Sequence, residues 1–304
     1  MLKSFTQIIG KAREFGQTTI SVAVAQDRDV LLAVKAAQEA GVAEAILVGD
    51  AGEIKPMAKE IGLIDGFSIM HELDLKQAAK TAVALVRSGQ AKILMKGLIN
   101  TGDFLKAVLS SEGGIRSGRL LSHLTCYEVP GNPKIIFYTD GGVNIAPRLE
   151  EKKDILVNAL TALKALGISQ PNVAVLAANE QVNAKMPATV DARALANLYG
   201  SDDSFNGIVE GPISMDVALN PEAAGHKGII SNISGNVDLF MVPNIEAGNL
   251  LSKALIYYAG FKIAGVVLGA TNPIIMVSRA DTAESKLSSI ALASLLANSV
   301  KRRN

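Results

Sequence analysis

Tryptophan is absent from this 304-residue chain, and phenylalanine and tyrosine together supply only 4% of it. A single cysteine, Cys126, excludes an intrachain disulfide, and with three histidines it leaves no four-ligand Cys/His zinc pattern. An excess of charge is missing too: 30 basic residues face 29 acidic ones, which argues against a nucleic-acid protein held by a broad basic face. The opening MLKSFTQIIGKAREFGQ lacks the apolar core of a signal peptide, so a cytoplasmic protein is expected. Walker and Gly-x-Gly-x-x-Gly loops are also lacking, which weakens kinase and ordinary dinucleotide-binding readings.

What is present is a chain that is 49% hydrophobic, too apolar to be mainly disordered, with the length of about two domains. Short apolar runs at 20–25, 45–48, 91–95, 134–138, 173–177, 207–210, 237–242 and 265–269 alternate with helical stretches. Strands this apolar belong to a mainly parallel sheet covered on both faces, so the fold class is α/β. Asp27 or Asp29 can cap the helix that follows the first strand, and a boundary near residue 145 precedes a long helix over 147–166. Residues 254–277 are nearly long and apolar enough to span a bilayer, but Lys262, three glycines and Asn272-Pro273 break them; a helix followed by a strand pair is expected.

Ligands of open α/β sheets bind where strand ends lead into helix N-termini, whose unpaired N–H groups favour anions. Five junctions qualify: Lys96 to Thr101 with Asn100 between, Thr139 to Asn144, Glu210 to Pro212, Pro243 to Asn249, and Ser278 to Asp281. The last is the sharpest, because an Arg at the end of the apolar run 273–277 can grip a phosphate bidentately beside the Ser278 hydroxyl. Asp281 with Glu284 three residues on resembles a capping box, which accounts for those two carboxylates but not for Arg279. Lys96 follows a strand, and EGGIRSGRLLSH gathers Arg116, Arg119, Ser122 and His123 behind glycines as a second anion contact. His71 reads as surface, and Cys126, in LTCYEV, as a small buried hydrophobe.

Six blocks, LMKGLINTGDFLKAVL, GIRSGRLLSH, YTDGGVNIAP, VEGPISMDVAL, VPNIEAGNLLSKAL and GATNPIIMVSRADTAESKLSSIALA, resemble in this order the phosphate acetyl/butyryltransferase family. The match runs from about Ser21 to Ala297, and the LMKGLINT and SRADT forms resemble its butyryl branch more than its acetyl branch. The resemblance implies two α/β domains with a cleft between them, in the architecture of isocitrate and isopropylmalate dehydrogenases. The first domain would comprise 1–142 plus 270–304 and carry the Ser-Arg motif; the second, 143–269, would pair subunits into a homodimer or larger homo-oligomer.

The implied activity is reversible transfer of a butyryl or other short acyl group between CoA and inorganic phosphate, by direct attack in a ternary complex, with no cofactor. Its implied catalytic residues are Ser278, Arg279 and Glu284. Its implied substrate-binding residues are Lys96, Asn100, Thr101, Lys106, Arg116, Ser122, His123, Asn144 and Asn249. Two departures stand out. Lys106 replaces an Arg of the acetyl branch and loses its bidentate fork. Ser285 stands seven residues after Ser278, where that branch has an aspartate proposed as base, so Glu284 becomes the candidate. The competing readings are phosphate acetyl transfer, a metal- and nicotinamide-dependent dehydrogenase of the same architecture, and a non-catalytic acyl-CoA binding protein. Neither nucleic acid nor a membrane is an expected partner.

Overall fold

The computed structural model describes residues 2–202, 204–276 and 281–299. Its contacts group into two compact units: a terminal unit of Ser4–Arg119 and Ile263–Asn304, and a central unit of Met1–Lys3 and Leu120–Lys262. The chain opens the terminal unit with α1 (Phe5–Arg13), β1 (Thr18–Ala23), α2 (Arg28–Glu39), β2 (Ala43–Gly49), α3 (Ala51–Glu60), β3 (Phe67–His71), α4 (Leu75–Arg87), β4 (Ile93–Lys96) and α5 (Thr101–Val108). It then builds the central unit from β5 (Ser122–Glu128), β6 (Ile136–Thr139), α6 (Leu149–Ala165), β7 (Asn172–Leu176), α7 (Pro187–Gly200), β8 (Ile208–Ile213), α8 (Met215–Leu219), α9 (Pro221–His226), β9 (Leu239–Met241) and α10 (Ile245–Tyr257). It returns through β10 (Lys262–Leu268), β11 (Ile274–Ile275) and α11 (Ala283–Ser299). The fold is α/β, as its alternating apolar runs predict.

Strands of the terminal unit lie in the order β3-β2-β1-β4-β11-β10, parallel except for the β10–β11 pair. Those of the central unit lie in the order β5-β6-β9-β7-β8, parallel except for β5–β6. The units divide at 119/120 and 262/263, whereas the sequence places the seams at 142/143 and 269/270. The shift has a pairing cause: β5 bonds antiparallel to β6, and β6 bonds parallel to β9, so both strands belong with the central sheet.

Local chemistry explains the helix starts. Asp27, Asp50, Asp74 and Asn100 are extended residues whose side chains accept N–H bonds from the first turns of α2, α3, α4 and α5. Asp27 is thus the cap of α2, with Asp29 in its first turn. β1 stops at Ala23, two residues before the apolar run ends, because Val24 turns into the left-handed region at φ 59°. Of the 254–277 stretch, the described residues 254–276 contain the end of α10 and the β10–β11 pair joined at Val267 and Ile274. Among the described residues no helix is long and apolar enough to cross a membrane.

The terminal core is aliphatic: Ile20, Val22, Leu47, Ile93, Leu94 and Met95 are fully buried, each worth about 1.5–3 kcal/mol relative to exposure. Helix α11 is buried on nearly every side, so its polar groups need internal partners. Asn298 Nδ2 donates to Thr18 Oγ1 (2.9 Å) and its Oδ1 accepts from Lys92 Nζ (2.6 Å), anchoring the helix end beneath β1. Cys126 is buried opposite Phe137 on the neighbouring strand, in the core as expected.

Candidate active site

In the terminal unit the strand ends are level. Ala23 pairs with both Val48 and Lys96, and Ile275 pairs with Met95. The loops after β1, β2 and β4 therefore leave one edge of the sheet together with the N-termini of α2, α3 and α5. Two of these loops are stitched to each other: Gly97 N–H donates to Ala23 O (2.8 Å) and Leu98 N–H to Val24 O (2.7 Å). Only glycine fits at 97, since a Cβ there would stand 2.1 Å from Val24 O. The left-handed turn at Val24 is what presents that carbonyl.

On this edge Lys96 is half-buried, and its ammonium donates to Gly97 O (3.2 Å) and Ile99 O (2.8 Å), bringing a positive charge into the loop before α5. Asn100 caps α5: Oδ1 accepts from Asp103 N (2.8 Å) and Nδ2 donates to the Asp103 carboxylate (2.6 Å). That bond, helped by Lys76 and Lys106, holds the Asp103 carboxyl below the usual carboxylate range. Thr101 is exposed on the first turn, and Lys106, 81% exposed, reaches Asp103 at 3.5 Å. Arg116 is exposed and bridges backbone to backbone with Ala270, which ties the 115–119 segment to the end of β10.

Ser278 and Arg279 lie outside the described residues. Met276, one position after the Ile275–Met95 pair, is the last described residue before them. On the far side, Thr282 Oγ1 accepts from Ser285 N (3.2 Å), and Lys286 N–H bonds back to Thr282 O. Thr282 with Ser285 thus caps α11, one residue after the expected Asp281–Glu284 pair. Glu284 is exposed in the helix's first turn.

The central unit holds a second constellation at the end of β6. Asp140 is 2% exposed, and its carboxylate accepts from Gly142 N (2.8 Å), Val143 N (3.0 Å) and Asn144 Nδ2 (2.6 Å). Asn144 also donates to Leu121 O (2.8 Å). His123 shares a bond with Thr125 Oγ1 (3.1 Å) and packs on Gly142, where a Cβ would come within 2.8 Å of Nδ1. Ser122 is buried and accepts from Asn158 (3.0 Å), so its hydroxyl braces the strand beside His123. Gly141 and Gly248 meet backbone to backbone, which sets the first turn of α10 against this loop; Asn249, the next residue, is exposed.

Sequence reasoning missed Asp140, although it stands in a quoted block, because nothing local distinguishes a buried clamp from an exposed turn aspartate. It also missed the knot at the ends of β7 and β8. There Lys227 Nζ reaches Glu180 Oε1 (2.9 Å), Asp216 Oδ2 (2.9 Å) and Ser214 Oγ (3.1 Å), and Ser214 bonds both carboxylates. The Ser214 hydroxyl, then Lys227, lowers the Asp216 carboxyl to about 2 and also lowers Glu180; the same carboxylates raise Lys227.

The sequence profile of the phosphate acetyl/butaryl transferase family matches residues 65–294. A phosphate butyryltransferase of Clostridium acetobutylicum is 43% identical over 298 residues, covering 98% of this chain and 99% of its own. A crystal structure of a branched-chain phosphotransacylase from Enterococcus faecalis V583 superimposes with a TM-score of 0.83 at 32% identity, over 93% of this chain and 99% of that one. A 4-hydroxythreonine-4-phosphate dehydrogenase from Klebsiella pneumoniae shares the fold alone, with a TM-score of 0.57 at 12% identity over 93% of this chain and 100% of that one. The α/β architecture is therefore the dehydrogenase-like one expected, while the likeness in sequence runs to acyl transfer to phosphate along nearly the whole chain: the protein belongs to the phosphate acetyl/butyryl transferase family.

Proposed function

We propose that the protein is a phosphate butyryltransferase, moving a butyryl or other short-chain acyl group between CoA and inorganic phosphate. The observation that carries this reading is the 43% identity to a phosphate butyryltransferase across both chains' lengths.

Arg279 and Ser278 hold the phosphate, with Lys96 and Arg116 as supporting cations. A phosphate oxygen attacks the thioester carbonyl directly. The tetrahedral oxyanion is met by the Ser278 hydroxyl or by N–H groups at the start of α11. The C–S bond then breaks, and the proton released by phosphate ends on the CoA sulfur. Glu284, exposed in the first turn of α11, carries that proton. No enzyme nucleophile is needed, in keeping with the burial of Cys126. Asn100, Thr101 and Lys106 are assigned to substrate from the start and body of α5, and His123 of β5, Asn144 of the loop clamped by Asp140 and Asn249 of α10 likewise. The buried Ser122 braces β5 through Asn158.

Acetyl transfer differs from this reading only in acyl length. One methylene changes binding by about 1–3 kcal/mol, so the two activities overlap. We also place the subunit contact of a homo-oligomer on α10. Gly248 is its only buried residue, while Leu250 and Tyr257, and Tyr258 that caps its end, are 71%, 65% and 94% exposed. An apolar helix left this open is characteristic of a surface covered by another copy.

Thiol release from butyryl-CoA on addition of phosphate, compared with acetyl- and branched acyl-CoA, tests the activity. Phosphate-dependent release is expected; its absence from all three sinks the reading. Arg279→Ala should cut turnover by about 100-fold or more and weaken phosphate saturation with the fold intact.

A further inference from the structure

Helix α4 has two unlike faces. Ala78, Ala79, Ala82, Val83, Leu85 and Val86 are buried on one. The opposite face, from Gln77 to Ser88, lines a groove of about 680 Å³ whose other wall is the end of α5 and the turn after it. The groove exists because the residues across it are small: Ala84 on α4 faces Ala107 and Gly113. Its volume falls in the range of small-molecule sites, roughly 300–1,000 Å³.

Its lining is electropositive in a chain whose overall charge is nearly balanced. Lys80 and Arg87 line it against one carboxylate, Glu112, and hydroxyls come from Thr81, Ser88 and Ser110. Arg87 donates to the main-chain oxygen of Glu112, which orients the guanidinium without neutralising it. The same seam continues past Asp103, where Lys76 and Lys106 both act on that carboxylate. Seven helical steps separate Lys80 from Arg87, about 10 Å along the axis. Two long side chains close that gap from opposite ends and can converge on the two phosphates of a diphosphate.

We propose that the α4–α5 groove is an anion-binding site that does not use Arg279, taking a diphosphate-bearing ligand; its coenzyme A arm rests on the acyl-transfer reading above. The diphosphate belongs either to a free nucleotide or to the nucleotide end of coenzyme A. Arg87 grips one phosphate as a bidentate fork, Lys80 neutralises the second, and the hydroxyls complete the shell. No aromatic side chain lines the groove, so the phosphates rather than the base supply the affinity. Inorganic pyrophosphate and ADP therefore bind within a few-fold of each other. The site shares α5 with the candidate active site, since Asn100 opens that helix and Ala107 stands near its end.

The test is calorimetric titration of the full chain with sodium pyrophosphate, ADP and free CoA at constant ionic strength. The proteins are the wild type, Lys80→Ala/Arg87→Ala, Arg87→Lys and Arg279→Ala. Pyrophosphate and ADP should bind wild type and Arg279→Ala alike, about ten-fold or more weaker to the double variant, and with an intermediate loss to Arg87→Lys. A matching ten-fold loss for CoA, with a raised KM for butyryl-CoA, identifies the substrate's own diphosphate; unchanged CoA binding identifies a free nucleotide. The proposal is overturned if the wild type binds neither probe at millimolar concentration, or if binding survives in the double variant and is lost in Arg279→Ala. Both substituted side chains are exposed on the outward face of α4, and circular dichroism checks that the helix is kept.

Discussion

The two units solve the packing problem with different side chains. Phe5, Phe15, Phe67 and Phe104 are the only aromatic residues of the terminal unit, whereas the other nine, including every tyrosine, belong to the central one. Rings fill the central core: Tyr127 meets Tyr138 edge-on at 5.2 Å, and Tyr138 stacks on Phe240 at 4.8 Å. Burial pushes the Tyr127 phenol up to about 12 and raises Tyr138 as well. In the terminal unit alanine, valine and glycine let backbones approach closely, as at Gly97 and Val24 O. Small side chains thus give the edge that carries Lys96 and Asn100 a rigid backbone. Large ones give the central unit its core, with further rings left over on the outside of α10.

The largest effect expected lies in the central unit. Lys134 Nζ, 8% exposed, donates to Asp238 Oδ1 (2.6 Å) and Asn236 Oδ1 (2.9 Å), and the other Asp238 oxygen accepts from Asn172 N (2.9 Å). Lys134→Met strands a buried carboxylate and should cost about 3–5 kcal/mol in urea unfolding. Pairing it with Asp238→Asn should recover part of that loss. In the terminal unit Gly97→Val should cost about 1–3 kcal/mol through overpacking but remove nearly all turnover. If both substitutions lowered stability and activity in the same proportion, the division into a scaffold and a site-bearing edge would be wrong.

Smaller effects sharpen the contrast. Leu250→Glu on α10 should shift the oligomer towards monomer in sedimentation while the isolated subunit keeps its helical signal; an unchanged mass would remove α10 from the contact. The Glu180–Asp216–Lys227 knot should stabilise at neutral pH and lose its effect in acid. Because Asp216 is lowered from 3.8 to about 2, its stabilisation is present above pH 3.8 and lost as pH falls towards 2. Asp216→Asn should lower neutral stability slightly and flatten that limb of the unfolding-against-pH curve, so that the two proteins converge as pH falls towards 2.

Much of this was legible in the sequence where the cause is local. Continuous apolar runs named most of the parallel strands, though not β3, the choice of Asp27 or Asp29 bracketed the start of α2, and LTCYEV placed Cys126 in the core. Seams at 119/120 and 262/263 were not legible, because they depend on the long-range pairing of β5 with β6 and of β6 with β9. Asp140 and the turn at Val24 escaped for a similar reason: a carboxylate clamping its own loop and a valine at φ 59° become visible only when neighbouring strands fix the backbone. The Ser278-Arg279 junction, the sharpest signal in the chain, rests on its sequence context.

The most direct measurement is phosphorus NMR of the enzyme mixed with butyryl-CoA and inorganic phosphate. The account predicts a new acyl phosphate resonance growing in step with thiol release, strongly reduced in Arg279→Ala. Thiol release with no acyl phosphate, or at a rate indifferent to phosphate, would contradict transfer to phosphate and leave only thioester hydrolysis.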